Sequence, residues 1–174
     1  MKTLLKLAAS SSILAMLLGC SGASGGGGLE ALRNIDSSGA SAFNQALSAD
    51  YATYAVWEFE TEAEAEFISE GEGEVELKDF ALFVRKAISA GKNERVEPEN
   101  VSDWSIPSDR ATVLNEHRTL MMEKFAKGGK ESHPELAGHA QGQFDCWVEE
   151  EAEGHENPEC MVKHKAAIAG IGLP

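Results

Sequence analysis

Glu76-Leu77-Lys78-Asp79-Phe80-Ala81-Leu82-Phe83-Val84-Arg85-Lys86-Ala87-Ile88-Ser89-Ala90-Gly91 is the stretch whose reading decides the fold. Leu77, Phe80, Ala81, Val84, Ala87 and Ile88 recur at steps of three and four residues, the period of one helix face. A half-buried strand would alternate instead. Gly91 follows the last apolar positions, next to Lys86 and Lys92, as a C-terminal stop. The spacing predicts a helix over 76–90.

The same period continues on both sides. Upstream, Phe43, Leu47, Tyr51 and Tyr54 fall on one face of a helix predicted over 41–59. Ala42, Ala46, Ala49, Ala52 and Ala55 favour that helix and allow close packing. Val56, Trp57 and Phe59 widen its apolar face, and Ser38 or Ser41 is its candidate N-cap. Downstream, residues 93–109 connect through Pro98 and Pro107, pinned by Val101, Trp104 and Ile106. Trp104 reads as packed against the helices; stacking on a ligand is its alternative role. Asp109 caps a third helix with Val113, Leu114, His117, Leu120, Met121 and Phe125 on its apolar side, closed by Gly128-Gly129. Ser132 as cap and Pro134 in the first turn open a fourth, with Leu136, Ala140, Phe144, Trp147 and Val148 as its stripe. Glu149 to Gly154 reads as its acidic end. Asn157-Pro158-Glu159 starts a last short helix with Met161, His164 and Ile168 on one face. No alternating run is long enough for a sheet. The expectation is an all-α domain over 41–170, about five helices packed as consecutive antiparallel pairs.

Glu occupies positions 58, 60, 62, 64, 66, 70, 72, 74 and 76. Like charges at these spacings repel along a helix by about 0.2–0.5 kcal/mol per pair, and Gly71 and Gly73 interrupt the segment. It reads as a frayed, solvated helix end and loop. A weak Ca²⁺ or Mg²⁺ site is the competing reading, without the Asp-x-Asp-x-Asp-Gly spacing of an EF-hand.

The N-terminus carries an address. Met1 to Lys6 is short and basic, and residues 7–18 are mostly apolar, broken by Ser10, Ser11 and Ser12. That run is too short to cross about 30 Å of hydrocarbon permanently and fits a secretory signal peptide. Leu17-Leu18-Gly19-Cys20 resembles the lipobox of bacterial lipoproteins, apart from a large residue at Leu18. The resemblance implies that residues 1–19 are removed and that Cys20 is acylated, becoming the new N-terminus. Two or more acyl chains hold a protein firmly at a bilayer, where one does not. Ser21, in place of Asp, points to the outer membrane, with the domain facing the periplasm. Ser21 to Gly28, rich in Gly and Ser, reads as a flexible tether within a linker spanning 20–40. The Gly25 to Gly28 run lacks the Lys-Ser/Thr ending of a phosphate-binding loop.

Net charge is −14 over 174 residues, and loss of Lys2 and Lys6 with the signal makes the mature chain more acidic. Such a surface repels phosphate, so nucleic acid is excluded as a partner. The membrane, reached through the N-terminal lipid, is the expected one, with other envelope proteins.

Beyond Cys20 an even pair remains, Cys146 and Cys160. In an oxidising compartment they read as a disulfide. The competing reading makes Cys146, His155, Cys160 and His164 four zinc ligands, at a spacing unlike a compact zinc knuckle. His133 and His139 are six apart, wrong for two ligands on one helix face, and His117 reads as a hydrogen-bonded core residue. No nucleophile elbow, Ser-x-x-Lys or His-Glu-x-x-His is present. The chain is expected to be non-enzymatic, with no cofactor and no resident metal.

Several short motifs resemble one family. They are Phe43-Asn44-Gln45-Ala46-Leu47-Ser48 with Tyr51, Asp79-Phe80-Ala81 with Arg85-Lys86-Ala87, Trp104-Ser105-Ile106-Pro107, Phe144-Asp145-Cys146-Trp147-Val148-Glu149, and Glu159-Cys160. Together they resemble the helical N-terminal region of alphaproteobacterial OmpA-family outer-membrane lipoproteins, over about residues 20–168. The likeness implies pairing of Cys146 with Cys160, since both stand in its motifs, and a role at the cell envelope with other envelope proteins or an OmpA-like protein as partner. In that family an OmpA-like peptidoglycan-binding domain follows. This sequence ends at Pro174, where that domain would begin, so the Asp and Arg that grip the cell-wall peptide have no counterpart. The acidic segment 58–76 is longer than the family pattern, like an insertion.

Overall fold

A computed structural model describes residues 25–68, 78–154 and 159–172, the side chains of 25, 26 and 62–68 excepted. Among these residues there are helices and no strands. The helices are α1 (Gly25–Arg33), α2 (Ala42–Ile68), α3 (Lys78–Gly91), α4 (Ser108–Ala126), the single turn α5 (Gly129–Ser132), α6 (Pro134–Glu153) and α7 (Glu159–Gly170), with a 3₁₀ turn at Val101–Asp103. The all-α reading holds, but the described residues form seven α-helices where about five were expected, α1 and the single turn α5 being the additions.

The arrangement of the helices differs from a run of consecutive pairs. Neighbours in sequence do pack, α2 on α3 and α6 on α7, but α6 also lies against α2, far away in the chain. Helix α6 is therefore the central element, covered on two sides. Glycine makes the α2–α6 approach possible. A Cβ on Gly138 would stand 2.5 Å from the Phe43 carbonyl oxygen, and one on Gly142 would stand 2.7 Å from the Asp50 Cβ. Only residues without a Cβ let the two backbones come this close.

Two apolar clusters result. Leu47, Tyr51 and Ala55 of α2 pack with Phe80, Phe83, Val84, Ala87 and Ala90 of α3. Leu114, Met121 and Phe125 of α4 pack with Phe144, Trp147 and Val148 of α6 and Ala167 and Ile168 of α7. Phe43 and Tyr54 border both clusters. Trp104 packs against the second, as expected, and its indole Nε1 donates to Glu99 Oε2 at 3.0 Å.

Several boundaries shift for physical reasons. The expected linker over 20–40 contains α1, because Leu29, Leu32 and Ile35 dock on the α2–α3 cluster and outweigh the poor helix propensity of the glycines. Helix α2 runs on to Ile68, so its acidic part is helical where a frayed end was expected. The left-handed residue after α3 is Asn93 (φ 61°), and Gly91 lies inside the helix; Asn tolerates that conformation better than most residues. Pro107, where Asp109 was expected, is the N-cap of α4, and His133, where Ser132 was expected, is that of α6. The Ser132 hydroxyl instead donates to the Gly128 carbonyl, closing α5. That extra turn sets Lys130 Nζ 4.1 Å from the Phe43 ring and 4.6 Å from the Phe125 ring, a cation–π clasp between α2 and α4.

Candidate functional site

The polar residues of α6 fall on a stripe of their own. Gln141, Asp145 and Glu149 are spaced by four, one above the other on a helix face, and all three are fully buried against α2 and α3. Each finds partners on those helices or on the 93–107 connection.

Asp145 forms the centre of the first group. Its Oδ2 accepts from Lys86 Nζ at 2.7 Å and from the Tyr51 hydroxyl, and its Oδ1 accepts from the Glu99 backbone N–H at 2.8 Å. Lys86 also pairs with Glu99. Burial opposes the charge on Lys86, but the attraction of Asp145 and Glu99 outweighs it and raises its pKa. Burial pushes the Asp145 carboxyl upward against Lys86, Tyr51 and the Glu99 amide. With an ammonium and two further donors on it, we assign Asp145 the ionised form at neutral pH. Gln141 Nε2 extends the group by donating to the Val96 carbonyl at 2.8 Å. Arg118 Nε, on α4, donates to the Glu99 carbonyl at 2.8 Å. This network ties the 93–107 connection to three helices.

One turn along, the stripe changes character. Glu149 meets Glu58 of α2 and Glu153 of its own helix, with carboxylate oxygens of the three within 4.8 Å of one another. Glu58 and Glu149 are 1% and 0% exposed, and Glu153 is exposed. The Tyr54 hydroxyl donates to Glu149 Oε2, while Glu149 Oε1 has no hydrogen-bond partner. Burial, reinforced by the charges of Glu58, Glu153 and Asp79, pushes the Glu149 carboxyl up to about 10. Burial likewise raises the Tyr54 hydroxyl far above its ordinary value. This group can hold either a proton or a cation.

The residues singled out from sequence are distributed differently. Cys20 lies outside the described residues, as does His155. Cys146 and Cys160 are disulfide-bonded with their Cα atoms 5.9 Å apart, so their thiolates are not available for the four-ligand zinc set. His164 is fully buried, and its Nδ1–H donates to the Ala140 carbonyl at 2.8 Å. Burial lowers its pKa to about 4, which leaves it neutral. His117 stands edge-on to Trp147 and His164. It is packed as expected, but its Nδ1 has no hydrogen-bond partner. His139 pairs with Asp50 at 3.0 Å and His133 with the Ser132 hydroxyl at 2.9 Å, so the two serve separate contacts.

Sequence reasoning missed Gln141, Asp145, Glu149 and Glu58. A signal existed for Glu58: it continues the face of Leu47, Tyr51 and Tyr54 at helical spacing. The spacing by four of 141, 145 and 149 was equally visible, but nothing local tells a covered polar stripe from a solvated one. Among the described residues no helix is long and apolar enough to cross a membrane. No family model, curated protein or solved structure matches the chain.

Proposed function

We propose that this protein is a non-enzymatic lipoprotein of the outer membrane, a small helical periplasmic domain anchored by acylated Cys20 and acting as a structural or interaction module of the cell envelope. The observation that carries this reading is Leu17-Leu18-Gly19-Cys20 after a basic and apolar leader. The start of α1 at Gly25 adds a length argument. At about 3.4 Å per residue, the stretch from Cys20 to Gly25 reaches at most about 17 Å, so an anchored domain would sit close to the bilayer. Its acidic surface would then face anionic headgroups that repel it, leaving the lipid as the attachment. The motif likeness to OmpA-family lipoproteins supports an envelope setting, and no wall-binding residue is carried over from it.

The experiment is membrane fractionation with metabolic fatty-acid labelling, comparing wild type with Cys20→Ser. Wild type should carry label and sediment with outer membranes, with processing blocked by globomycin. Cys20→Ser should be unlabelled and released. Soluble, unlabelled wild-type protein would end this reading. A second reading, a cation-binding periplasmic lipoprotein, is favoured by the meeting of Glu58, Glu149 and Glu153.

A further inference from the structure

We propose that His117 of α4 and His164 of α7 hold a single Cu⁺ ion, with a methionine thioether as a further donor. The two rings meet with their centroids 5.3 Å apart and their planes at 72°. Each leaves one buried nitrogen without a hydrogen bond, Nδ1 in His117 and Nε2 in His164. Buried polar atoms are nearly always partnered. His164 is the more telling of the two. It is fully buried, and its Nδ1 lies 2.8 Å from the Ala140 carbonyl oxygen. A carbonyl only accepts, so the ring proton sits on Nδ1 and Nε2 keeps a bare lone pair in the interior. Metal-ligating histidines are held in this manner, one nitrogen donating to a backbone carbonyl and the other left for the ion. His117 is half-buried. With its proton on Nε2, its inner Nδ1 offers the second lone pair. Two lone pairs cannot bond to each other, and a cation between them satisfies both.

Spacing and donors name the ion. Imidazole nitrogens about 2.0–2.1 Å from one tetrahedral centre set their ring centroids about 5.2 Å apart, close to the distance found here. Met121 follows His117 by four residues and Met161 precedes His164 by three, so each shares a helix face with its imidazole. Both methionines belong to the same apolar cluster. Imidazole suits copper, and thioether selects its monovalent form. Charge agrees. Among the described residues no carboxylate or thiol joins the pair as a third ligand, and the rings of Phe144 and Trp147 lie 5.5 and 5.9 Å from that of His164. A divalent ion would carry two uncompensated charges into this apolar shell, at a desolvation cost that grows with the square of the charge. Cu⁺ carries one. The partly exposed His117 and Met161 give it a way in from solvent. The site shares no residue with the lipid anchor or with the acidic cluster on α2 and α6, so each stands or falls separately.

The test uses the mature chain with Cys20→Ser, which leaves no free thiol, and Cu⁺ alone. The ion is supplied anaerobically with ascorbate, against bicinchoninate as a coloured competitor. One Cu⁺ per chain is expected, with nitrogen and sulfur neighbours in its X-ray absorption spectrum and a raised thermal midpoint. His117→Leu, at a half-buried position, should keep the helical circular dichroism and weaken binding at least about tenfold. His139→Ala, whose ring serves Asp50 instead, should bind like the parent chain. Absence of one-to-one uptake, an unchanged affinity in His117→Leu, or Zn²⁺ held more tightly than Cu⁺ overturns the proposal.

Discussion

Glu149 shows how much one buried carboxyl can decide. In water its pKa is near 4.5, and in the fold burial and the charges of Glu58, Glu153 and Asp79 raise it to about 10. The folded state thus keeps a proton that the unfolded state gives up. The stability linked to that proton is fully present below pH 4.5 and is lost as pH rises toward 10. With EDTA present, Glu149→Gln should therefore gain on wild type as pH rises from about 5 to about 9, by up to about 1 kcal/mol per pH unit. Urea unfolding of the two proteins at several pH values measures the gap, and a gap that stays constant would refute the assignment. Asp145, one turn earlier on the same stripe, is different because Lys86, Tyr51 and the Glu99 amide all donate to it. Identical burial thus yields an ion pair in one place and an acid held neutral in the other, according to which partners α2 and α3 supply.

At the scale of the element, α6 combines features that sequence rules treat as opposed. Its glycines weaken the isolated helix by about 1 kcal/mol each relative to alanine, yet they are what allows α2 to approach. Gly138→Ala would regain that propensity but place a methyl 2.5 Å from the Phe43 carbonyl oxygen and 2.8 Å from the Ala46 Cβ. The backbone oxygen cannot swing aside as a side chain would. The expected net result is destabilisation by about 1–2 kcal/mol. Gly39→Ala, where a Cβ meets nothing within 4 Å, serves as the control and should be nearly neutral. Thermal unfolding of both variants checks this, and a stabilised Gly138→Ala would contradict the packing argument. Helix α1 carries the converse lesson. Its four glycines read as tether, yet Leu29 and Leu32 find an apolar surface on the α2–α3 cluster, and the chain coils to reach it.

For the molecule as a whole, the Cys146–Cys160 bond fastens α7 to the central helix across a sequence separation of 14. Closing a loop of that size restricts the unfolded chain, worth about 3 kcal/mol in the entropy model. That is a large share of the net stability of a small domain. A cleft of about 230 Å³, lined by Thr53, Trp57, Gln143 and Lys163 among others, borders both cysteines. Reduction, or the double change Cys146→Ala and Cys160→Ala, should lower the unfolding free energy by about that amount. Denaturant curves with and without dithiothreitol measure it, and unchanged midpoints would show that packing alone holds α7 in place.

Local periodicity was enough to determine the helical class, the five longer helices and most of their apolar faces, because a helix repeats its own geometry every few residues. The even pair Cys146 and Cys160 was also legible, and the fold joins the two. The covering of α6 on two sides was decided only in three dimensions. Phe43 meets Gly138, Tyr51 meets Asp145 and Glu58 meets Glu149 across separations of about ninety residues. A polar stripe reads the same in sequence whether water or another helix lies against it. Burial is a property of the assembled surfaces, and it is burial that turns these carboxyls from solvated charges into an ion pair and a candidate cation site.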